Sequence, residues 1–195
     1  MRRLCQREGV TLFIALLAGF KALLHRYTGQ DDLVVGSGIA NRGGAETEGL
    51  IGFFVNSLRT RVSGGLSFRE LVGRVKDTAL GAYDHQDLPF EKLVEELQPD
   101  RDLSQNPLFQ VVFVVQNASK EALELPGLTV RPFEREITFT HFDLEVQVWE
   151  ERDRIVAGFS YNTDLFTATT IERMGQHYLS PVSYTHLTLP TIYSV

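Results

Sequence analysis

The chain has 195 residues and a mass of 22.0 kDa, which is enough for one ordinary domain or for half of a larger one. Apolar residues make up 43% of it and charged residues 23%, a globular rather than disordered composition. The formal charge of -6 argues against a general nucleic-acid binder, which needs a basic face to displace counterions. The lone cysteine, Cys5, excludes an internal disulfide framework and a CxxC metal site, and it fits a reducing cytoplasm.

Apolar residues at helical spacing predict four helices, over residues 12–27, 68–83, 90–97 and 167–178. Gly29 is a plausible stop for the first, and Ser67 with Glu70 has the spacing of a capping box at the start of the second. The longest apolar run, residues 12–24, is too short to span a bilayer, so no membrane partner is expected. The residues predicted to face inward are Phe68, Leu71, Val75 and Leu80 in the second helix and Ile171, Met174 and Tyr178 in the last.

Runs of β-branched and aromatic residues predict strands over residues 33–35, 50–62, 109–116, 128–133, 142–149 and 154–161. The last two are expected to form an antiparallel hairpin with one solvent-facing side and with Phe142, Leu144, Val146 and Val148 on the other. Because helices and strands do not alternate as βαβ units, the predicted fold is a mixed-sheet α/β sandwich.

The segment from Gly36 to Gly49 contains five glycines and reads as a long loop. It lacks the GxxxxGK[ST] order, and Gly36-Ser37-Gly38 is not completed to GxGxxG, so a phosphate cradle is disfavoured. A loop of this kind is more typical of a lid or a channel wall.

Chemistry alone favours structural roles for most polar candidates. His85 beside Asp87 could form an acid/base pair, but such residues at a helix end more often cap it and tie loops. The histidines are scattered, with no HExxH sequence, and no GxSxG elbow is present, so no metal site and no serine nucleophile are predicted. Asn56 lies in the middle of a predicted strand, where its amide either bonds neighbouring backbone or faces a wet cavity.

Three short blocks carry a family resemblance. Residues 51–61 (IGFFVNSLRTR) resemble a (I/V)GxFVNT-type block, and residues 85–91 (HQDLPFE) resemble HQDxPFE. Residues 101–108 (RDLSQNPL) resemble RDxSRNPL, with Gln105 where arginine is usual. In this order and at these separations, the blocks resemble the condensation domain of nonribosomal peptide synthetases, which are enzymes of peptide antibiotic biosynthesis and secondary metabolism.

The resemblance implies one lobe of a chloramphenicol acetyltransferase-like two-lobe fold, with a tunnel between the lobes. Carrier proteins insert phosphopantetheine arms into its two mouths, and the acceptor amine attacks the donor thioester to form an amide. The second His of an HHxxxDG motif is the usual catalytic candidate, and this sequence contains no such motif. Residues 8–178 therefore resemble the C-terminal lobe alone. We expect no catalytic residue in this chain, no directly bound cofactor and no activity without the N-terminal lobe.

The resemblance also implies roles for individual residues and partners. The implied substrate-channel residues are Ser37, Asn41, Arg42 and Asn56, and the implied structural residues are His85, Gln86, Asp87, Arg101, Asp102 and Asn106. The implied partners are the N-terminal lobe, peptidyl carrier proteins and the adenylation domain of the same cytoplasmic synthetase, with no nucleic acid.

Two other functions stay open. One is an epimerization or heterocyclization relative, and the other is a noncatalytic module that only docks carrier proteins. Residues 179–195 contain no Asp, Glu, Lys or Arg and are rich in hydroxyl groups. This tail resembles translated adaptor read-through, so we expect it to be non-native or a disordered terminus.

Overall fold

The computed structural model describes residues 1–38, 55–61, 67–85, 88–99, 106–116, 140–150 and 154–183, with the backbone alone in 55–61 and 180–183. The helices in this part of the chain are α1 (Arg2–Glu8), α2 (Leu12–Thr28), α3 (Phe68–Asp84), α4 (Phe90–Leu97) and α5 (Ala168–Ser183). The strands are β1 (Asp32–Gly38), β2 (Val55–Arg61), β3 (Val111–Gln116), β4 (Leu144–Glu150) and β5 (Ile155–Tyr161).

The strands form one five-stranded sheet in the order β2-β1-β3-β4-β5. The inner pairs β1–β3 and β3–β4 are parallel, whereas the outer pairs β1–β2 and β4–β5 are antiparallel. The predicted mixed sheet and the predicted β4–β5 hairpin are therefore confirmed. One row of residues in register crosses every strand: Ser57, Gly36, Val112, Glu145 and Ser160.

The hydrophobic core lies between one face of this sheet and the helices α2, α3 and α5. Phe20 of α2 stacks on Phe113 of β3 with ring centroids 5.3 Å apart, and it meets the edge of Tyr178 of α5 at 6.0 Å. The Tyr178 hydroxyl also donates a hydrogen bond to the backbone oxygen of Leu16 at 3.0 Å. Side chains alternate along a strand, so the sheet presents a core face that carries Leu33, Val35, Phe113, Leu144, Val146 and Val148.

Capping residues set the helix ends where the sequence predicted them. The Ser67 hydroxyl accepts from the Glu70 backbone N–H at 3.3 Å, and the Glu70 carboxylate accepts from the Ser67 backbone N–H at 2.8 Å. These reciprocal bonds form the predicted capping box of α3. Gly29 ends α2 with a φ of 68°, a left-handed conformation that glycine adopts without steric cost.

A buried lysine interrupts the apolar helix α2. Lys21 has no exposed surface, and its Nζ donates to the backbone oxygen of Leu33 at 2.8 Å. Burial lowers the pKa of Lys21 to about 7, and the nearby charge of Asp32 acts in the opposite direction. Within the described ranges, no single helix is long and apolar enough to cross a membrane. The bent pair α1 and α2, which meet at 101°, passes that test only together and only by length and composition.

Several sequence-based expectations differ from the structure. Helix α1 was not predicted because it is short and buries only Leu4. Residues 36–38, predicted to begin a loop, continue β1 and pair with residues 55–57 of β2. Leu80, predicted to face inward, is 47% exposed, and Ala79 is buried instead. The last helix runs beyond its predicted end, to Ser183.

Other expectations fall outside the described residues. These are the strand predicted over 128–133, the remainder of the glycine-rich segment (39–49), the first part of the strand predicted over 50–62, and the tail from residue 184.

Candidate functional site

Three phenylalanine rings meet on the sheet face opposite the core. Phe109 lies against Gly36 so closely that a Cβ at position 36 would be 2.3 Å from its ring. Phe90 meets the edge of Phe109 at 5.8 Å, and Phe142 stacks on it at 5.7 Å. We call Phe90, Phe109 and Phe142 the aromatic junction. Phe142 was predicted to share the face of Leu144, which is wrong: it precedes the regular strand and packs against Phe109 instead.

The aromatic junction joins the segments that carry the sequence motifs. Phe90 belongs to the block 85–91, and Phe109 directly follows the block 101–108. Gly36, beneath Phe109, pairs with Ser57 of the block 51–61. The described parts of these blocks, which are far apart in sequence, therefore lie around one position of the sheet.

Asn106 ties the turn before β3 to the residues before β4. Its side-chain Nδ2 donates to the backbone oxygen of His141 at 2.7 Å. Asn106 and Gln110 also bond each other: the Asn106 N–H donates to Gln110 Oε1 at 3.3 Å, and Gln110 Nε2 donates to the Asn106 oxygen at 2.8 Å. The Gln110 backbone oxygen in turn accepts from the N–H of Asp143 at 3.0 Å. This network fixes the relative positions of β3 and β4.

His85 caps the end of α3 and makes backbone hydrogen bonds to both sides. Its backbone N–H donates to the oxygen of Ala82 at 3.3 Å, and its own oxygen accepts from the N–H of Leu88 at 3.1 Å. These bonds connect α3 to the start of α4. Gln86 and Asp87 lie outside the described residues, and their structural role stays a prediction.

The residues implied to line a substrate channel are only partly described. Ser37 is buried on β1, and its hydroxyl donates to the backbone oxygen of Phe113 at 2.9 Å. Asn56 is the register partner of Ser37 on β2, and only its backbone is described. Asn41, Arg42, Arg101 and Asp102 lie outside the described residues. The channel role of these residues therefore stays a prediction, and Ser37 has in addition a backbone partner inside the sheet.

A line of polar side chains lies on the same sheet face as the aromatic junction. Gln147 Nε2 donates to Glu145 Oε1 at 2.6 Å, and Gln116 Nε2 donates to Gln147 Oε1 at 3.4 Å. We call Gln116, Gln147 and Glu145 the polar row. The alternation in β4 predicted only a solvent-facing side here, with no functional role. The sequence pattern that indicates the polar row is the alternation of Glu145, Gln147 and Trp149 with the apolar residues of the strand.

A metal centre is not indicated by the part of the chain that the structure describes. No group of three or more His, Cys, Asp or Glu side chains there could hold a metal ion. The described arrangement is a sheet face with an aromatic end and a line of polar side chains.

Comparison with known protein families decides the family. A family model described as the condensation domain matches residues 1–185. The chain belongs to the condensation domain family. The resemblance drawn from the three sequence blocks is thereby confirmed.

Curated relatives of this condensation-domain chain are much longer peptide synthases. It is 53% identical over 181 residues to a linear gramicidin synthase of Brevibacillus parabrevis, covering 91% of this chain and 4% of that protein. It is 49% identical over 179 residues to chondramide synthase of Chondromyces crocatus, covering 91% of this chain and 5% of that protein. The chain thus spans only a few per cent of the length of these relatives.

Solved structures confirm the fold class. The X-domain from teicoplanin biosynthesis matches with a TM-score of 0.78 and 29% identity, covering 90% of this chain and 41% of that chain. A four-domain nonribosomal peptide synthetase bound to AMP and glycine matches with a TM-score of 0.82 and 24% identity, covering 95% of this chain and 16% of that chain. The mixed α/β architecture is therefore that of condensation domains, a chloramphenicol acetyltransferase-like fold.

Proposed function

We propose that residues 8–178 form the C-terminal lobe of a condensation domain that, when complete, joins a carrier-bound acyl or peptidyl donor to a carrier-bound aminoacyl acceptor. The observation that carries the proposal is the coverage: 90% of this chain aligns with 41% of the X-domain chain. A condensation domain from a polyketide synthase is covered to 43%, at 22% identity and a TM-score of 0.76. Coverage near one half supports one lobe of a two-lobed fold.

The reaction of the complete domain is an acyl transfer. The acceptor nitrogen bonds to the donor carbonyl carbon, the carbon–sulfur bond of the donor thioester breaks, and the amine proton passes to a base or to the leaving thiol. The histidine usually assigned to proton handling belongs to HHxxxDG, which this sequence lacks. Loss of a general base alone reduces rates by roughly 10²–10⁴-fold, and loss of the facing wall also removes orientation. The isolated chain is therefore inactive in this proposal.

The proposed partners follow from the synthetase context. Carrier proteins would present donor and acceptor on phosphopantetheine arms, and an adenylation domain of the same cytoplasmic synthetase would load them. Support comes from relatives that are named peptide synthases. In this lobe, Ser37, Asn41, Arg42 and Asn56 would line the channel.

The structural motif residues would act differently. Asn106 and His85 would position the elements around the channel through the backbone bonds described above, and Gln86, Asp87, Arg101 and Asp102 would do so in the same blocks. None of them is proposed to contact the reacting atoms.

The test is an amide-forming assay with two loaded carrier proteins, followed by mass spectrometry of the acceptor carrier. The chain alone should give no product above the uncatalysed rate. The same chain joined to a matching N-terminal lobe that carries HHxxxDG should give product. Turnover by the chain alone would refute the assignment of a single lobe, and lack of turnover by the complete domain would refute the amide-forming function.

A noncatalytic docking module is the second candidate, and one observation favours it. The X-domain that this chain resembles at 28% identity and a TM-score of 0.74 is known in a complex with OxyB. If this chain is such a module, the complete domain should bind loaded carriers yet form no amide. An epimerization relative would instead invert a carrier-bound residue without joining it to an acceptor amine. A heterocyclization relative would form the amide and then close a ring with loss of water.

A further inference from the structure

The polar row holds a carboxylate on a central strand of the sheet, on the face opposite the core. Glu145 occupies the second position of β4, and β4 lies between β3 and β5, so the residue is not on an edge strand. Its side chain is half-buried, and its carboxylate accepts a short hydrogen bond from Gln147 at 2.6 Å. Placing an ionised group at such a position is unfavourable unless it has polar partners.

Glu145 has no ion-pair partner in the described part of the chain. The other acidic residue of β4 engaged in an ion pair, Glu150, contacts Arg2 at 2.6 Å, at the far end of the strand. Glu145 is instead oriented by an amide, and Gln147 is oriented in turn by Gln116 at 3.4 Å. A fixed carboxylate with no ion pair among the described residues is complementary to a cation supplied by a ligand.

The location of Glu145 connects it to the motif residues. It is the register partner of Val112, which is the register partner of Gly36. Glu145 and Gly36 are thus two strands apart in one row, about 10 Å at the usual strand spacing. Since Phe109 lies on Gly36, the carboxylate and the aromatic junction share the sheet face opposite the core.

We propose that Glu145, held by Gln147, binds the protonated α-amine of the acceptor aminoacyl group and so selects acceptors with a free amine. The proposal rests on the proposed amide-forming function and names a specificity residue for it. Binding recognises the ammonium form that predominates at neutral pH. The ammonium then loses one proton to solvent, and the resulting neutral amine attacks the donor carbonyl. An N-acylated acceptor has no positive charge and keeps a single amide N–H, so it should bind the carboxylate more weakly.

Trp149 provides a direct reporter of this face. It is the single tryptophan of the chain, and it lies on β4 two residues after Gln147. Its ring packs over Gly158, where a Cβ would be 3.1 Å from the indole, and Gly158 is the cross-strand partner of Gln147. A ligand that reaches the polar row should therefore change the fluorescence or the indole NMR signal of Trp149.

The experiment titrates the chain with alanyl-pantetheine, in which a stable amide replaces the thioester, and with its N-acetyl analogue. The amine-bearing probe should change the Trp149 signal saturably and bind about tenfold more tightly than the acetylated probe, the difference typical of a hydrogen bond to a charged group. Glu145→Gln should abolish that preference, and Gln147→Ala should reduce it because the carboxylate loses its orienting bond. Glu172→Gln, the same change at an exposed site on α5, is the matched control and should keep the preference.

Several outcomes would overturn the proposal. They are no response to either probe, equal affinity for both, or a Glu145→Gln variant that weakens both probes equally while its circular dichroism is unchanged. If Glu145→Gln fails to fold, Gln147→Ala decides in its place: an unchanged preference for the amine would count against the proposal.

A second measurement separates this inference from the function on which it rests. In the complete two-lobed domain, Glu145→Gln should raise the acceptor concentration needed for half-maximal rate about tenfold and leave the donor dependence unchanged. An unchanged acceptor dependence in an active domain would refute the inference alone. Absence of amide formation by the unsubstituted domain would refute the proposed function, whatever the titration shows.

Discussion

The ring of Phe109 occupies the space that any side chain at position 36 would need, since a Cβ on Gly36 would lie 2.3 Å from Cε2 of the ring. The contact is between a strand of the sheet and the turn that leads into another strand. It therefore sets how closely β1 and the segment before β3 approach each other on the face of the aromatic junction.

Gly36→Ala should destabilise the chain by about 1–3 kcal/mol, because the added methyl group forces the ring or the strand to move. The measurement is the free energy of unfolding from urea titration. Gly38→Ala is the matched control on the same strand, since a Cβ there meets no atom of the described residues within 4 Å. Equal stability of Gly36→Ala and the parent chain would show that the ring relocates without cost and would contradict the prediction.

Burial of Lys21 predicts a pH-dependent stability. Its pKa falls from 10.5 when unfolded to about 7 when folded, so between these values the unfolded chain binds a proton that the folded chain does not. The free energy of unfolding should therefore rise from about pH 7 to about pH 10, by an amount on the order of 3 kcal/mol. Below about pH 7 the folded and the unfolded chain both carry the Lys21 proton, so the free energy of unfolding no longer depends on pH through Lys21.

Lys21→Met should abolish the rise in the free energy of unfolding between about pH 7 and about pH 10, because no amine remains to titrate. It also removes the bond from Nζ to the Leu33 oxygen, so its stability near pH 10 should fall below that of the parent chain. Lys92→Met, which removes a surface amine from α4, should leave the slope unchanged. Superimposable pH profiles for Lys21→Met and the parent chain would rule out Lys21 as the source.

The hydrogen bonds of Asn106 predict that replacing its side-chain nitrogen by oxygen destabilises the chain. In Asn106→Asp an oxygen replaces the Nδ2 group that donates to the His141 oxygen at 2.7 Å, so two acceptors face each other. We expect a loss of about 1–2 kcal/mol, at least as large as that of Asn106→Ala, which only removes the bond. Thermal unfolding of the two variants at neutral pH provides the comparison. Greater stability of the Asp variant than of the Ala variant would be incompatible with this geometry.

The capping box of α3 predicts that loss of the Ser67 hydroxyl destabilises the first turn of that helix. Ser67→Ala removes the hydroxyl that accepts from the Glu70 N–H at 3.3 Å and should lower stability by about 1 kcal/mol. Thr78→Ala is the control: its hydroxyl bonds the Arg74 oxygen within the helix, a local contact that adds little to helix stability. Hydrogen exchange at the first turn of α3 should speed up in Ser67→Ala alone. Unchanged exchange there would argue against the cap.

Local sequence signals predicted most of the secondary structure. The period of α2 ends at Gly29, and the Ser67–Glu70 pair marks the start of α3, because caps and apolar spacing act within a few residues. The alternation in β4 correctly placed Leu144, Val146 and Val148 in the core. In α3 the size of Leu80 misleads: the smaller Ala79 is the buried residue, and Leu80 is 47% exposed.

Contacts between distant segments could not be predicted in the same way. Nothing near Gly36 in the sequence indicates that the ring of Phe109 covers it, and a glycine-rich stretch is more typical of a loop. The bond from Asn106 to His141 likewise joins residues 35 positions apart. The family resemblance indicated that these blocks matter, but only the three-dimensional arrangement shows that packing brings them together.

The bond between the Tyr178 hydroxyl and the Leu16 oxygen joins residues 162 positions apart. During synthesis, the apolar helix α2 therefore cannot pack against α5 until about 160 further residues have left the ribosome. Contacts of such long sequence separation slow folding. Until α5 is available, the apolar surface of α2 is a natural substrate for chaperones that shield nascent apolar segments.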